Sequence, residues 1–245
     1  MASTDKRILI TGATSGIGRA LAEEFAGRGF IVGITGRRTH LLDEIKGAYP
    51  EGRVHAATLD VTDQKASVAG LEALIDQMGG LDILVANAGV ANTNREFDWL
   101  VENTTISTNV NGFTLSLSVA YNHFKKHGVS GQIVGMSSVA ALTAYGRSVA
   151  YCASKAFVSN YLRGMRHKAK LDELNVAFTD IKPGFIETPM IEGKKGLFWV
   201  ISAEKSAKLM ANAILARRNH AFIPARWFWV GLLLRLIPDW LIRTA

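Results

Sequence analysis

At 245 residues, with 48% apolar side chains, 23 glycines and only 5 prolines, the chain is long enough for one sizeable core and has no linker-like stretch to divide it. A single cysteine, Cys152, excludes an intrachain disulfide and points to a reducing compartment. The formal net charge of +7 comes from dispersed lysines and arginines with no accompanying recognition motif, so nucleic acid is not an expected partner.

Met1–Lys6 is polar and the first apolar run has the length of a strand, not a leader, so a cytoplasmic location is expected. That strand, Arg7-Ile8-Leu9-Ile10-Thr11, runs into Thr11-Gly12-Ala13-Thr14-Ser15-Gly16-Ile17-Gly18, and residues 17–28 then have a helix pattern. A strand, a glycine turn and a helix make a phosphate cradle: the glycines allow close backbone approach, and the helix N-terminus offers free N–H groups to a pyrophosphate. The spacing is G-x-x-x-G-x-G, not G-x-G-x-x-G. A glycine turn with purely structural duties is the plainer alternative, against which the flanking strand and helix weigh.

A second strand near 30–35 ends in Gly36-Arg37-Arg38 and precedes a helix at 39–47. A strand near 54–59 leads to Asp60-Val61, a helix covers 64–78, and a strand near 82–86 leads to Asn87-Ala88-Gly89. The long helix expected over 98–127 contains Asn109, whose poor helix propensity predicts a local kink. A strand at 132–136 runs into Ser137-Ser138, and a helix at 148–170 carries Tyr151-Cys152-Ala153-Ser154-Lys155. A strand at 176–181 precedes Pro183-Gly184-Phe185-Ile186-Glu187-Thr188, and a helix at 203–218 and a strand at 221–223 follow. This βα alternation predicts an α/β fold with a parallel sheet covered on both faces. Ligands of such sheets bind beyond the C-terminal strand ends, where the glycine turn, Asp60, Asn87, Ser138 and Pro183 converge.

Tyr151 and Lys155 share one helix face. A free phenol titrates near ~10, and an ammonium beside it favours phenolate and lowers that value. The tyrosine can then exchange a proton with an alcohol or ketone. Ser138, 13 residues upstream, can orient the substrate oxygen. The Tyr-xxx-Lys pair is a weak motif alone, but the glycine turn supplies the cofactor site it needs. Cys152 is expected to be a packing residue, and no metal site is expected.

In chain order, Thr11-Gly12-xxx-Gly16-Ile17-Gly18, Asp60-Val61, Asn87-Ala88-Gly89, Asn109, Ser138, Tyr151-xxx-Lys155 and Pro183-Gly184 leading to Thr188 resemble the short-chain dehydrogenase/reductase family over about residues 5–225. The resemblance implies a Rossmann-type doubly wound sheet of about seven strands in a single domain, with 1–225 as the catalytic domain and 226–245 as an extension. It implies a catalytic set of Asn109, Ser138, Tyr151 and Lys155. In that set Tyr151 is acid in reduction and base in oxidation, and Ser138 holds the substrate oxygen. Lys155 lowers the tyrosine pKa and binds the nicotinamide ribose, while Asn109 holds a water that relays protons. Cofactor contacts are implied for Gly12, Ser15, Gly16, Ile17 and Gly18 in the turn, and for Asp60 and Val61 beside the adenine. Asn87, Ala88 and Gly89 are placed at the adenosine ribose, and Pro183, Gly184, Ile186 and Thr188 along the nicotinamide. NAD-using relatives usually carry an acid after the second strand, where this chain has Gly36 and then Arg37. A guanidinium pairs with the 2′-phosphate that an acid would repel. NADP(H) is therefore expected, with Arg37 its main partner and Arg38 the second. A homodimer or homotetramer through the helices near 98–127 and 148–170 is also implied.

The substrate is less legible. In Pro189 to Val200, Gly193 and Gly196 can act as hinges and Phe198 and Trp199 can cover an apolar substrate; an exposed loop with a helix-packing aromatic pair is the alternative. Val139, Leu142 and Tyr145 are expected at the same pocket, which suits an apolar, even lipid-like, ketone, aldehyde or secondary alcohol. The segment 226–245 holds three of the five tryptophans. Its run from Trp227 to Leu234 is far short of the ~20 residues that span a bilayer. With no clean polar face, it can pack on a partner subunit, close the pocket or lie peripherally in a membrane interface. Packing is preferred to membrane contact. The competing function is a catalytically idle NADP-binding sensor or scaffold on the same fold; the intact catalytic set argues against it.

Overall fold

The computed structural model describes residues 6–193 and 196–236. Lys194 and Lys195 of the expected lid, and 237–245 of the extension, lie outside the described residues. Seven strands, β1 (Arg7–Thr11), β2 (Ile31–Gly36), β3 (Val54–Thr58), β4 (Ile83–Ala86), β5 (Gly131–Met136), β6 (Val176–Pro183) and β7 (His220–Ile223), form one sheet in the order β3-β2-β1-β4-β5-β6-β7. Every pairing is parallel. The strand order reverses between β1 and β4, which opens a crevice at their C-terminal ends.

Apolar runs without alternation form the inner strands because both sheet faces are covered. Ile8 and Ile10 of β1 face one core with α1 (Gly16–Gly27), α2 (Thr39–Gly47) and α7 (Ala203–Leu215). Leu9 between them faces the other core with α3 (Gln64–Gln77), α5 (Phe113–His127) and α6 (Val149–Leu171). Phe25, Phe124 and Phe178 are fully buried in these layers, each contributing roughly 1.5–3 kcal/mol by transfer from water. Local chemistry sets several helix ends. The Asp63 carboxylate accepts from Ala66 N (3.1 Å) to start α3, and Gly128 takes a left-handed conformation (φ 61°) to stop α5.

The single helix expected over 98–127 is α4 (Trp99–Ile106), a π-helical turn over Ser107–Gly112, and α5. The kink expected at Asn109 is this turn. It turns the Asn109 amide off the helix to meet the backbone of Val90. Gly112 lets the helix close on the β3–α3 connection, where a Cβ would stand 2.6 Å from Val61 Cγ2.

A buried charge cluster lies on β6. The fully buried Asp180 carboxylate pairs with Lys182, accepts from Ser137 Oγ, and lies 3.5 Å from His220 Nδ1. Burial works to raise its pKa, but the hydrogen bond from His220 and the charge of Lys182 hold it at about 2. The depressed folded-state value means that its stabilisation is present above the ordinary carboxylate range and is lost as pH falls towards about 2. Asp180→Asn is expected to lower stability by about 3–5 kcal/mol, because it breaks a buried pair from one side. Urea unfolding measures this, and an unchanged midpoint would refute it.

Candidate active site

The C-terminal strand ends surround a cavity of about 480 Å³. All the nominated cofactor and catalytic residues line it except Asn109, which is buried behind it. Gly12 is left-handed (φ 69°), and a Cβ on it would lie 2.7 Å from Ala88 Cα. A Cβ on Gly18 would lie 2.3 Å from Gly12 O. Asn87 Nδ2 donates to Thr11 O (3.0 Å) and Gly12 O (3.1 Å), while Thr11 Oγ1 accepts from the N–H groups of Asn87 and Ala88 (both 3.1 Å). These bonds stitch the turn after β1 to the end of β4. Thr11 was not among the nominated residues; its hydroxyl acts only through this tertiary contact. The start of α1 has no side-chain cap. A bare helix N-terminus behind glycines that no Cβ could replace fits a pyrophosphate.

Beyond β2, a Cβ on Gly36 would already be 2.5 Å from Thr14 Cγ2, so Thr14 fills the place beside it. Arg38 Nη2 donates to Thr14 Oγ1 (2.7 Å) and Ser15 Oγ (2.8 Å), which holds its guanidinium against the glycine turn. Arg37 is mostly exposed and pairs loosely with Asp60 Oδ2 at 3.8 Å. Burial works against ionisation of Asp60, but hydrogen bonds from Thr62 and the charge of Arg37 leave its carboxyl below the ordinary range. Two guanidinium groups therefore line one end of the cavity.

At the other end, Tyr151 and Lys155 emerge from the first turns of α6 and Ser138 follows β5. Ser138 also accepts from Ala140 N (3.1 Å), which fixes its rotamer. Burial pushes the Tyr151 phenol above its ordinary value, and a hydrogen bond with Ser138 opposes that shift. The lowering expected from Lys155 is not what this geometry gives. Lys155 Nζ lies 5.7 Å from the Tyr151 ring centroid and donates to Met136 O at 2.9 Å. Burial drops the Lys155 amine to about 8. Asn109 accepts from Val90 N (2.8 Å) and donates to Val90 O (2.9 Å) and Ser154 Oγ (3.0 Å). It thereby ties the loop after β4 to α6. A Cβ on Gly89 would stand 3.2 Å from Asn109 Oδ1 and 3.3 Å from Lys155 Nζ, so these two groups flank the same bare glycine.

The pocket wall differs from expectation in two places. Val139 and Tyr145 line the cavity, but Leu142 packs against Gly231 instead. Phe198 and Trp199 stand behind the wall, which is formed by Phe185 and Trp227. Trp227 opens α8 (Trp227–Leu236). Its ring stacks on Phe198 at 5.1 Å and meets Phe185 and Trp199 edge-on at 5.3 and 5.8 Å. It seats directly on Gly184, where a Cβ would lie 2.0 Å from Nε1. Of α8, Trp227 thus forms part of the pocket wall.

The model of the family described as short chain dehydrogenase matches residues 6–196. The chain belongs to the short-chain dehydrogenase family. It is 31% identical over 250 residues to an uncharacterized oxidoreductase of Mycobacterium tuberculosis, covering 98% of this chain and 97% of that one. It is 37% identical over 185 residues to sulfoacetaldehyde reductase 2 of Chromohalobacter salexigens, covering 74% and 73% of the two chains. A short-chain dehydrogenase/reductase from Burkholderia phymatum, solved with NAD, shares the fold with a TM-score of 0.84 at 22% identity, covering 95% of this chain and 94% of that one. As a short-chain dehydrogenase the protein is an oxidoreductase built for a nicotinamide cofactor and a small-molecule substrate.

Proposed function

We propose that the protein is an NADP(H)-dependent oxidoreductase acting on the carbonyl or secondary alcohol carbon of an apolar, lipid-like substrate. The observation that carries the cofactor preference is the pair Arg37 and Arg38 at the cavity end where Gly36 leaves no acid. When bound, the nicotinamide supplies or accepts the hydride. The turn from Gly12 to Gly18, with Asn87 behind it, holds the pyrophosphate, and Arg38 with Ser15 and Arg37 receives the 2′-phosphate. Asp60 and Val61 border the adenine. Gly184, Ile186 and Thr188 hold the carboxamide side.

In reduction, Ser138 donates to the substrate oxygen and Tyr151 hands it the phenolic proton. A phenol kept neutral by burial is suited to that acid role. Lys155, charged below about pH 8, stabilises the phenolate left behind and binds the nicotinamide ribose. Asn109 fixes the loop that carries Gly89 and Val90 and keeps the proton path to Lys155 in register. Phe185, Val139, Tyr145 and Trp227 give the substrate an aromatic and aliphatic wall that excludes water. The aldehyde reduction named for the relative 37% identical to this chain belongs to the same reaction class. In this reading residues 1–225 are the catalytic body, Trp227 completes its pocket, and assembly proceeds through the helices over 98–127 and 148–170 as a homodimer or homotetramer.

The test is loss of NADPH absorbance with ketones and aldehydes of increasing chain length. Turnover that rises with chain length is expected. Tight NADPH binding with no turnover across the series would favour the idle sensor.

A further inference from the structure

We infer that the outward face of α8 docks on an anionic lipid surface. The helix is apolar on both sides. Trp227 and Gly231 are buried against the body. Phe228, Trp229, Leu232 and Leu233, at i, i+1, i+4 and i+5, form the opposite stripe and are 48%, 70%, 46% and 59% exposed. A helix meant for water carries polar side chains on that stripe; here four successive outward positions carry none. Beside it Trp199 is half-exposed, and the Arg226 guanidinium lies 4.9 Å over its ring.

The chemistry selects lipid over a second copy of the chain. Side chains of this size, half-exposed, offer roughly 400 Å², about half of what each partner of a stable protein interface gives. A membrane interface needs no matching partner surface, and tryptophan is the residue that sits at headgroup level. The basic flank supplies the charge complement. Arg226 places a guanidinium at the start of the helix beside Trp199, and the whole chain carries +7. No helix among the described residues is long and apolar enough to cross a membrane, so the contact is interfacial. Trp227, a wall of the cavity, lies on the other side of the same helix, so docking would bring the site to the lipid from which an apolar substrate comes.

Flotation of the full chain with vesicles of phosphatidylcholine and phosphatidylglycerol in a three-to-one ratio tests this. The protein is expected to float at low salt and to release at high salt. The double variant Trp229→Ser, Leu233→Ser is expected to lose at least about tenfold of the bound fraction while keeping its melting temperature and its mass by light scattering. Absence of flotation, equal flotation of the variant, or equal flotation on phosphatidylcholine alone would overturn the inference. So would a drop in the variant's mass, which would assign the face to a subunit contact. None of these readouts uses turnover, so a failure here leaves the proposed reaction standing, and the reverse.

Discussion

Tyr151→Phe should cut turnover by about two to four orders of magnitude, the range for loss of a positioned general acid, while NADPH binding stays within about twofold. The substitution removes one oxygen and keeps the ring. The aromatic contact with Lys155 at 5.7 Å is retained, and so is the helix that carries it. What disappears is the only atom on this side chain able to give a proton to a substrate oxygen beside Ser138. The glycine turn and the two arginines lie at the far end of the cavity, and their bonds to Asn87, Thr14 and Ser15 do not involve Tyr151. Stopped turnover with intact binding therefore isolates the proton step. Steady-state rates and a fluorescence titration measure the two quantities, and near-normal turnover would remove Tyr151 from the mechanism.

Arg37→Asp should reverse the cofactor preference. Arg37 is 70% exposed and its ion pair with Asp60 is long at 3.8 Å, so the fold loses almost nothing when it is replaced. A charge-assisted hydrogen bond contributes about 1.5–3 kcal/mol, and the new carboxylate repels a 2′-phosphate while accepting from free ribose hydroxyls. The ratio of kcat/KM for NADPH over NADH is expected to fall by at least about tenfold. Arg38 keeps its bonds to Thr14 and Ser15 in this variant, so the glycine turn is undisturbed. An unchanged ratio would refute the assignment of Arg37 as the main partner of a 2′-phosphate.

Features set by neighbours in sequence were legible before the fold was seen. The β1 run, the glycine turn and the start of α1 are contiguous, and their chemistry is local. The disturbance at Asn109 was readable from helix propensity, although its form, a π-helical turn latched to Val90, depends on a partner 19 residues away. The titration of Tyr151 was not legible. Residues four apart do share a face, but depth outweighs that proximity: burial raises the phenol and lowers the Lys155 amine. The hold of Arg38 on Thr14 and Ser15 depends on how the start of α2 lies over the turn, which no local pattern encodes. The seat of Trp227 on Gly184 is likewise a contact between segments 43 residues apart, so the tail could be read as apolar without revealing which side faced the pocket.

The most direct measurement is transfer of deuterium from NADPH dideuterated at the nicotinamide C4 to a long-chain aldehyde, read by mass spectrometry of the product alcohol. One deuterium at the carbinol carbon, formed at least about a hundredfold more slowly with Tyr151→Phe, is the predicted result. An unlabelled aldehyde recovered beside firmly bound, unoxidised NADPH would contradict the account.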